Sequence, residues 1–396
     1  MQLSFFEQTI PIGFLNDLFQ AYFDARKNKR NTINALAFEV HFEKNLFLLA
    51  DEIVSRNYQP KPSTCFIVDK PVKREVFAAD FRDRVVHHLV FNYISPVFEG
   101  RFINDCYSCR KGKGTHYGIQ RIDHFIRSCS RNYAIDCYIL KLDIKGYFMS
   151  INRNLLFRKI EKELLYCRER NNFDSDMVLY LLKMIIFNDP TDKCIVKGKE
   201  SDWNGLPKGK SLFTAQPLCG LPIGNLTSQL FGNIYMNDFD HFIKKDCGIG
   251  YYGRYVDDFV LVHQKIEYLK YLVPAIKQYL HDKLMLELHP DKIYLQHYSK
   301  GVRYLGAVIK PHRIYVAART RGNFFDAIEK QNRIARNHKP NIDEKKKFMS
   351  SVNSYLGILK HYRTYKFRKN IIKNNLSGWW LNYVKTNKGV NKFLLK

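Results

Sequence analysis

The first sixty residues carry apolar side chains at the spacing of a helix. Between positions 14 and 57 apolar residues recur so that they fall on one helical face. Examples of these positions are Leu36, Val40, Leu46 and Leu49. Pro60 and Pro62 follow, and proline ends a helical pattern because it lacks a backbone N–H. The pattern predicts an N-terminal helical extension over residues 1–60.

Farther along the chain, short β-forming runs alternate with helical patterns. The runs STCFIV and REVFAA predict a pair of strands, and RDRVVHHLVFNYISPVF predicts a helix after them. Residues 187–220 are rich in Lys and Gly, which is typical of an exposed insertion. From about residue 320 to the end the pattern is helical and basic.

Two adjacent carboxylates interrupt the run GYYGRYVDDFVLVH, which is otherwise strongly β-forming. Asp257 and Asp258 lie between its two apolar halves. Taken alone they indicate a hairpin tip, since Asp is common in tight turns. Asp143 in ILKLDIKGYF has the same kind of position, at the end of an apolar strand and before a turn at Gly146.

Two strands that each deliver a carboxylate to one sheet edge would form a cluster rich in oxygen ligands. Mg²⁺ prefers such ligands in octahedral geometry. Two Mg²⁺ ions about 3.5–4 Å apart can activate an attacking hydroxyl and stabilise the leaving oxygen of an in-line phosphoryl transfer. Asp143 and Asp257 together therefore indicate phosphoryl-transfer chemistry more specifically than either does alone.

The charge of the chain points to a polyanionic partner. The 396 residues include 64 Lys and Arg against 38 Asp and Glu, a formal net charge of +26. So large an excess is most often matched to nucleic acid. Aromatic residues are interleaved with the basic ones, as in HYRTYKFRK at 361–369, and aromatic rings can stack on bases beside a phosphate backbone.

Several other function classes receive no support. No apolar run reaches the roughly eighteen residues of a membrane span, so we expect no membrane partner. The N-terminus MQLSFFEQTIPIGF does not have the pattern of a signal peptide. The nine cysteines are scattered, and the lone CYSC lacks the second pair of a zinc site. These features favour a reduced, cytoplasmic protein.

Six segments, in order along residues 60–315, resemble the motifs of reverse transcriptases. YVDD is similar to the motif at the core of that family, and LKLDIKGYF to its first palm carboxylate motif. LPIGNLTSQ resembles the segment that lines the incoming nucleotide, and GVRYLGAVI the primer-grip hairpin. KREVFAADFRDRVVHHLV and FINDCYSCRKGKGTHYGI resemble the two fingers motifs.

The resemblance implies the catalytic and metal-binding residues. Asp143 and Asp257 would bind two Mg²⁺ ions, with Asp258 as a third carboxylate and the main-chain carbonyl of Ile144 completing a site. Lys292 in HPDKIYL would protonate the pyrophosphate leaving group.

The same resemblance implies a nucleotide pocket. Phe148 falls where the family keeps an aromatic gate, whose ring fills the space that a ribose 2′-OH needs. Arg74 falls at the position that contacts the triphosphate, a role that suits the planar guanidinium. Arg110 and Lys113 would assist it, or would be simple solvated charges. Further residues of the predicted pocket are Ile223, Gly224 and Gln229.

Departures from the family pattern indicate a subtype. Most reverse transcriptases have Gln-Gly and a later Ser-Pro in the nucleotide-lining motif, whereas this chain has Ile223-Gly224 and Ser228-Gln229. The pattern resembles the reverse transcriptases of diversity-generating retroelements, which copy a template RNA into cDNA with frequent errors opposite adenine. Ile223 offers an apolar surface in place of an amide that can hydrogen-bond near the incoming sugar.

The resemblance implies an α+β right-hand polymerase with a ferredoxin-like palm, fingers and a short helical thumb. Fingers are expected at residues 61–130, the palm at 131–315 with a fingers-side insertion at 187–220, and the thumb at 316–396. The implied partners are template RNA, primer and cDNA, deoxynucleoside triphosphates, and a small basic pentameric accessory protein.

Two alternatives remain open from the sequence. One is another bacterial reverse transcriptase, of the antiviral defence or solitary group II-like kind. The other is a non-catalytic RNA-binding scaffold with the same fold, against which the intact Asp143, Asp257 and Asp258 argue.

Overall fold

The N-terminal part of the chain is helical. A computed structural model describes residues 10–27, 32–69 and 72–396, so parts of the predicted extension, residues 1–9 and 28–31, lie outside the described residues. The helices are α1 (Ile12–Arg26), α2 (Ile33–Glu39) and α3 (Phe42–Val54). Leu46 and Leu49 are fully buried in α3, whereas Leu36 and Val40 are exposed. The periodic pattern therefore identified the helices but not every residue of their buried face.

The chain then alternates strands and helices. The next elements are β1 (Thr64–Val68), β2 (Arg74–Ala78), α4 (Phe81–Glu99), α5 (Thr115–Cys129), β3 (Tyr138–Asp143), α6 (Tyr147–Ser150), α7 (Arg153–Tyr166), α8 (Ser175–Ile186), β4 (Ile195–Val196), α9 (Leu226–His241), β5 (Tyr251–Tyr255), β6 (Asp258–His263) and α10 (Ile266–Leu284). Among the described residues, no helix has the combined length and apolar character needed to cross a bilayer.

The remaining elements are short strands followed by helices. They are β7 (Tyr294–His297), β8 (Val302–Tyr304), β9 (Ala307–Lys310), β10 (Arg313–Val316), α11 (Ala318–Asn337), α12 (Ile342–Leu359), α13 (Tyr365–Asn375), α14 (Gly378–Tyr383), β11 (Val384–Thr386) and β12 (Phe393–Leu395). The chain folds into two compact units. The first comprises residues up to 117, 140–261 and 266–294, and the second 118–139, 262–265 and 295–396.

A four-stranded sheet has the strand order β5-β6-β3-β7. In chain order these strands are second, third, first and fourth, with helices between β3 and β5 and with α10 between β6 and β7. This is the βαββαβ arrangement of a ferredoxin-like sheet. The predicted α+β fold with a ferredoxin-like palm is confirmed. The sheet matters for the site because Asp143 ends β3 and Asp258 begins β6.

A second sheet of the first unit joins the insertion to the predicted fingers. β1 pairs antiparallel with β2 and parallel with β4, giving the order β2-β1-β4. β4 comes from the 187–220 stretch, which its composition predicted to be an exposed insertion. The insertion therefore extends a sheet.

Helix α9 lies at the centre of the first unit and packs against α4. Its buried side chains surround the whole helix, as expected for a helix enclosed by other elements. Thr227, one of its buried polar side chains, is paired, as buried polar groups usually are. Thr227 Oγ1 lies 2.7 Å from His87 Nδ1 of α4. Burial lowers the pKa of His87 to about 3, so the imidazole is neutral, which agrees with a structural role.

The second unit has its own apolar core under helices α11 to α14. Trp380 is fully buried there and stacks on Phe348, with ring centroids 3.9 Å apart and planes at 10°. Its indole N–H donates to the Gln331 carbonyl at 3.0 Å. The strands β8, β9 and β10 form an antiparallel meander in this unit.

Replacing Trp380 by Ala should lower the free energy of unfolding of the second unit by about 3–5 kcal/mol, because it removes a large buried ring and leaves a cavity. Trp379→Ala is the matched control, since Trp379 is half-buried and packs on Tyr383 with ring centroids 5.6 Å apart. The measurement is denaturant unfolding followed by far-ultraviolet circular dichroism. Equal losses for the two variants would contradict this description of the core.

Candidate active site

A tight turn between β5 and β6 presents the paired carboxylates. Val256 and Asp257 form the turn, and Val256 has a φ of +59°. Two-residue hairpin turns usually give a position of positive φ to glycine, and a β-branched residue there is strained. The predicted hairpin tip is thus present, and its backbone is held in a conformation that valine rarely adopts.

A buried ion pair restrains this turn. Arg254 and Asp240 are both fully buried, and their side chains meet in two hydrogen bonds of 2.7 Å. The same guanidinium donates to the Val256 carbonyl at 2.9 Å. Tyr252 adds a hydrogen bond to Asp240 at 2.6 Å. Arg254 is therefore a positioning residue for the turn, linking it to helix α9.

Main-chain hydrogen bonds bring Asp143 and the turn together. The Ile144 N–H donates to the Asp257 carbonyl at 3.1 Å. On its other side, the Asp143 carbonyl accepts from the His289 N–H at 2.8 Å. The end of β3 is thereby fixed between the turn and the segment that follows α10.

The charges around Asp143 and Asp257 interact. Burial and, to a lesser extent, the neighbouring Asp143 raise the pKa of Asp257 to about 6, although Lys292 and Arg74 oppose the rise. Lys292 Nζ lies 2.8 Å from Asp143 Oδ1. Two neighbouring carboxylates such as Asp143 and Asp257 repel each other unless cations balance their charges.

Asp258 has a different environment from Asp257. Its Oδ2 lies 3.1 Å from Lys141 Nζ, and both side chains are about four-fifths buried. Burial raises the pKa of Asp258 to about 7, and Lys141 opposes that rise. Lys141 precedes Asp143 by two residues on β3, so the two side chains leave the same face of the strand.

The donor set at this edge fits Mg²⁺ together with substrate oxygens. No group of three or more His, Cys, Asp and Glu side chains in the described parts of the chain is arranged to hold a metal ion. Mg²⁺ commonly uses only one or two protein carboxylates and takes its other ligands from water and substrate phosphates. Asp143 and Asp257 supply two carboxylates, so the residues present fit that mode of binding.

The predicted pocket residues Phe148 and Ile223 belong to one apolar cluster. Both pack, half-buried, against the buried side chains of Phe77, Met149 and Leu212. The Phe148 carbonyl accepts from the Leu221 N–H at 2.8 Å, and the Ile223 carbonyl accepts from the Phe77 N–H at 2.9 Å. The segment predicted to line the nucleotide is thus hydrogen-bonded both to β2 and to helix α6.

Gly224 is required by its backbone. Its φ is +129°, and a Cβ there would lie 2.9 Å from the Phe77 carbonyl oxygen. Only glycine permits this conformation together with so close an approach to β2. Gln229 lies one helical turn into α9, where its Oε1 accepts from the Cys109 thiol at 2.6 Å.

Arg110 and Lys113 make local contacts. Arg110 Nε donates to Glu99 at 2.9 Å, and its Nη1 donates to the Ile103 carbonyl at 2.6 Å. Lys113 Nζ donates to Asn104 at 3.0 Å. The structure does not bring these two side chains to the carboxylates. Arg74, by contrast, is exposed and near enough to Asp257 for its charge to lower the pKa of that carboxyl.

The sequence patterns did not identify Glu75, whose side chain holds the 187–220 insertion against β2 by hydrogen bonds. Its side chain is only 1% exposed and accepts from the Trp203 indole N–H at 2.7 Å, the Ser211 hydroxyl at 2.8 Å and the Leu212 N–H at 2.7 Å. Glu75 lies two residues before Phe77 on β2 and therefore shares its buried face. That alternation was the available signal, although its partners are more than 120 residues away.

Comparisons with known proteins agree with this geometry. The family model described as reverse transcriptase (RNA-dependent DNA polymerase) matches residues 68–309, more than half of the chain. Protein YkfC of Escherichia coli (strain K12) is 23% identical over 311 residues, which cover 69% of this chain and 73% of that protein.

Solved telomerase structures also align with the chain. Truncated apo telomerase from Candida tropicalis aligns with a TM-score of 0.46 and 14% identity over 67% of this chain and 58% of that one. Telomerase from Candida albicans, with a fragment of telomeric RNA, aligns with a TM-score of 0.44 and 12% identity over 83% and 59%. The chain thus spans less than two thirds of either telomerase chain.

The assignment of the chain to a family rests on the match to the family model. Asp143 and Asp258 lie in a ferredoxin-like sheet, as expected for the palm of that family. RNA-directed DNA polymerases are the enzymes of that family, so the predicted enzyme class is confirmed at this level. The chain belongs to the reverse transcriptase family.

Proposed function

We propose that this protein copies an RNA template into DNA, with Asp143 and Asp257 as the metal-binding carboxylates. The observation that carries the proposal is their meeting at one edge of the palm sheet, where the Ile144 N–H bonds the Asp257 carbonyl. Template RNA, a primer with its growing cDNA, and deoxynucleoside triphosphates are the proposed substrates. Two bound Mg²⁺ ions would supply activation of the attacking hydroxyl and stabilisation of the leaving oxygen.

The residues around the carboxylates have separate roles in this proposal. Arg74 binds the triphosphate, since its exposed guanidinium lies near Asp257. Lys292 holds its ammonium beside Asp143 and is 43% exposed, so it can reach the leaving pyrophosphate. Lys141 balances the charge of Asp258 through their ion pair at 3.1 Å.

The pocket selects deoxynucleotides through Phe148 in this proposal. The ring packs beside Tyr147, with centroids 5.4 Å apart, and beside the cluster that holds Ile223. A rigid ring rejects a 2′-OH by steric exclusion. Because α6 and the 221–223 segment are hydrogen-bonded to each other, Phe148 and the nucleotide-lining motif keep a fixed relative position.

We further propose that the enzyme belongs to a diversity-generating retroelement and makes cDNA with errors opposite adenine. Support comes from Ile223, whose half-buried side chain lies in the apolar cluster and brings no amide to it. One missing hydrogen bond in a closed site changes discrimination by about 1–3 kcal/mol. A pentameric basic accessory protein and a cytoplasmic location remain predictions of this assignment.

Asp257→Asn should abolish cDNA synthesis while RNA binding persists, because the change removes a metal ligand's charge but little shape. The loss of activity should exceed the roughly 10- to 100-fold loss that follows when a residue hydrogen-bonded to a metal ligand is replaced. Primer extension and RNA binding are measured on the same preparation, with the exposed Asp192→Asn as a charge-matched control. Substantial extension by the Asp257 variant would refute the metal assignment.

Phe148→Ala should raise ribonucleotide incorporation relative to deoxynucleotide by about 10- to 200-fold, the range that one pocket-filling group contributes to discrimination. Phe187→Ala is the matched control, because that ring packs on Phe157 with centroids 5.7 Å apart. The measurement is single-nucleotide incorporation with each substrate. An active variant with an unchanged ratio would reduce Phe148 to a packing role.

Ile223→Gln should lower misincorporation opposite adenine by up to about 150-fold, if the restored amide contact is worth 1–3 kcal/mol. Ile223→Leu keeps an apolar side chain and is the control. The error spectrum by template base is read by deep sequencing of cDNA made from one defined RNA.

Strain from a polar group in the apolar cluster would slow correct and incorrect incorporation alike, so the ratio separates it from a fidelity effect. An unchanged adenine error rate in an active Ile223→Gln enzyme would place the source of infidelity elsewhere.

A further inference from the structure

The second unit contains a cavity that the proposed reaction does not use. It has a volume of about 630 Å³, within the range of small-molecule sites. Its walls come from the end of α5, the loop after α5, the β9–β10 turn and the loop between α12 and α13. The lining residues are Asp123, Arg127, Asn132, Tyr133, His312, Arg313, Ile314, His361, Tyr362 and Arg363.

The cavity wall is basic. Arg127, Arg313 and Arg363 line it and are exposed, against the single carboxylate of Asp123. Guanidinium groups match the planar, multidentate oxygens of phosphate. The C-terminal part of the second unit is also positively charged, since residues 316–396 contain nineteen Lys and Arg but four Asp and Glu. Such a field draws polyanions towards the cavity.

An aromatic side chain forms another part of the wall. The Tyr133 ring lies 4.5 Å from the His312 ring at 62°, and it stacks against Tyr298 with centroids 5.6 Å apart. It is half-buried and therefore keeps part of its surface in the cavity. A fixed ring beside cationic groups is the combination that binds an unpaired base and its phosphate.

The backbone that carries Tyr133 is strained. Arg131, Asn132 and Tyr133 are consecutive and have φ values of +49°, +57° and +72°. Residues with side chains rarely adopt this region, and three in a row are exceptional. Strain of this kind collects at functional sites, where the surroundings enforce it.

Specific hydrogen bonds enforce the strained loop. The Asn132 N–H donates to the Arg127 carbonyl at 2.8 Å, and the Tyr133 N–H donates to the Ser130 hydroxyl at 2.9 Å. The Tyr298 hydroxyl donates to the Tyr133 carbonyl at 3.1 Å. The loop is thus fixed by its neighbours, and the position of the Tyr133 ring is set before any ligand arrives.

We propose that this cavity binds one nucleotide of a single-stranded nucleic-acid segment, its phosphate held by Arg127, Arg313 and Arg363 and its base stacked on Tyr133. The proposal rests on the proposed function, because the strand is the template RNA that the polymerase handles. All lining residues of the site belong to the second unit, whereas Asp143 and Asp257 belong to the first. The site binds RNA of any base sequence, because every base can stack on an aromatic ring.

The test measures binding of a fluorescent short oligouridylate RNA to the full-length protein over a series of salt concentrations. Tyr133→Leu should weaken binding by about 5- to 150-fold through loss of one stacked base, and Tyr133→Phe should bind within about twofold of the parent. Arg313→Gln should weaken binding and reduce the slope of log affinity against log salt by about 0.7. Arg333→Gln, an equal charge change on the exposed face of α11, is the control.

Parental affinity in a folded Tyr133→Leu protein, or equal effects of Arg313→Gln and Arg333→Gln, would overturn the proposal. Should Tyr133→Leu fail to fold, photo-crosslinking of 5-iodouridine RNA to the unaltered protein decides instead. Crosslinks within residues 127–133, 312–314 or 361–363 support the site, and their absence there refutes it. Primer extension on a short template reports separately on the polymerase activity.

Discussion

The buried pair of Arg254 and Asp240 is the interaction on which the sheet edge that carries Asp143 and Asp257 depends. The pair is fully removed from solvent and also holds the Val256 carbonyl. Removing one partner of such a pair costs about 3–5 kcal/mol, because the other charge is left buried without compensation. The strained turn that carries Asp257 is thus attached to α9 by an interaction too costly to break locally.

The positions of the carboxylates could be predicted from sequence, because each lies where a β-forming run meets a turn. That pattern identified Asp143 and Asp257 as neighbours although 113 residues separate them. Their surroundings could not be predicted in the same way. The pairing of Asp258 with Lys141 depends on the register of β3 beside β6, which no local pattern specifies.

Composition was a weaker guide than periodicity. The 187–220 stretch is polar and glycine-rich, yet it supplies β4 and places Leu212 in the apolar cluster with Phe77. Arg110 is basic and lies in a fingers-like motif, yet its guanidinium is bonded to Glu99 and to main-chain carbonyls. In both cases tertiary partners decide the role, and those partners are invisible in a window of a few residues.

Glu75 makes the insertion a permanent part of this polymerase. All three of its donors come from residues 203–212, so a chain without that segment would leave the Glu75 carboxylate without these three hydrogen bonds on the buried face that it shares with Phe77. An unpaired buried charge of that kind is strongly destabilising. Shortening the insertion during evolution or engineering therefore requires replacing Glu75 at the same time. The presence of residues 203–212 and the identity of residue 75 therefore constrain each other.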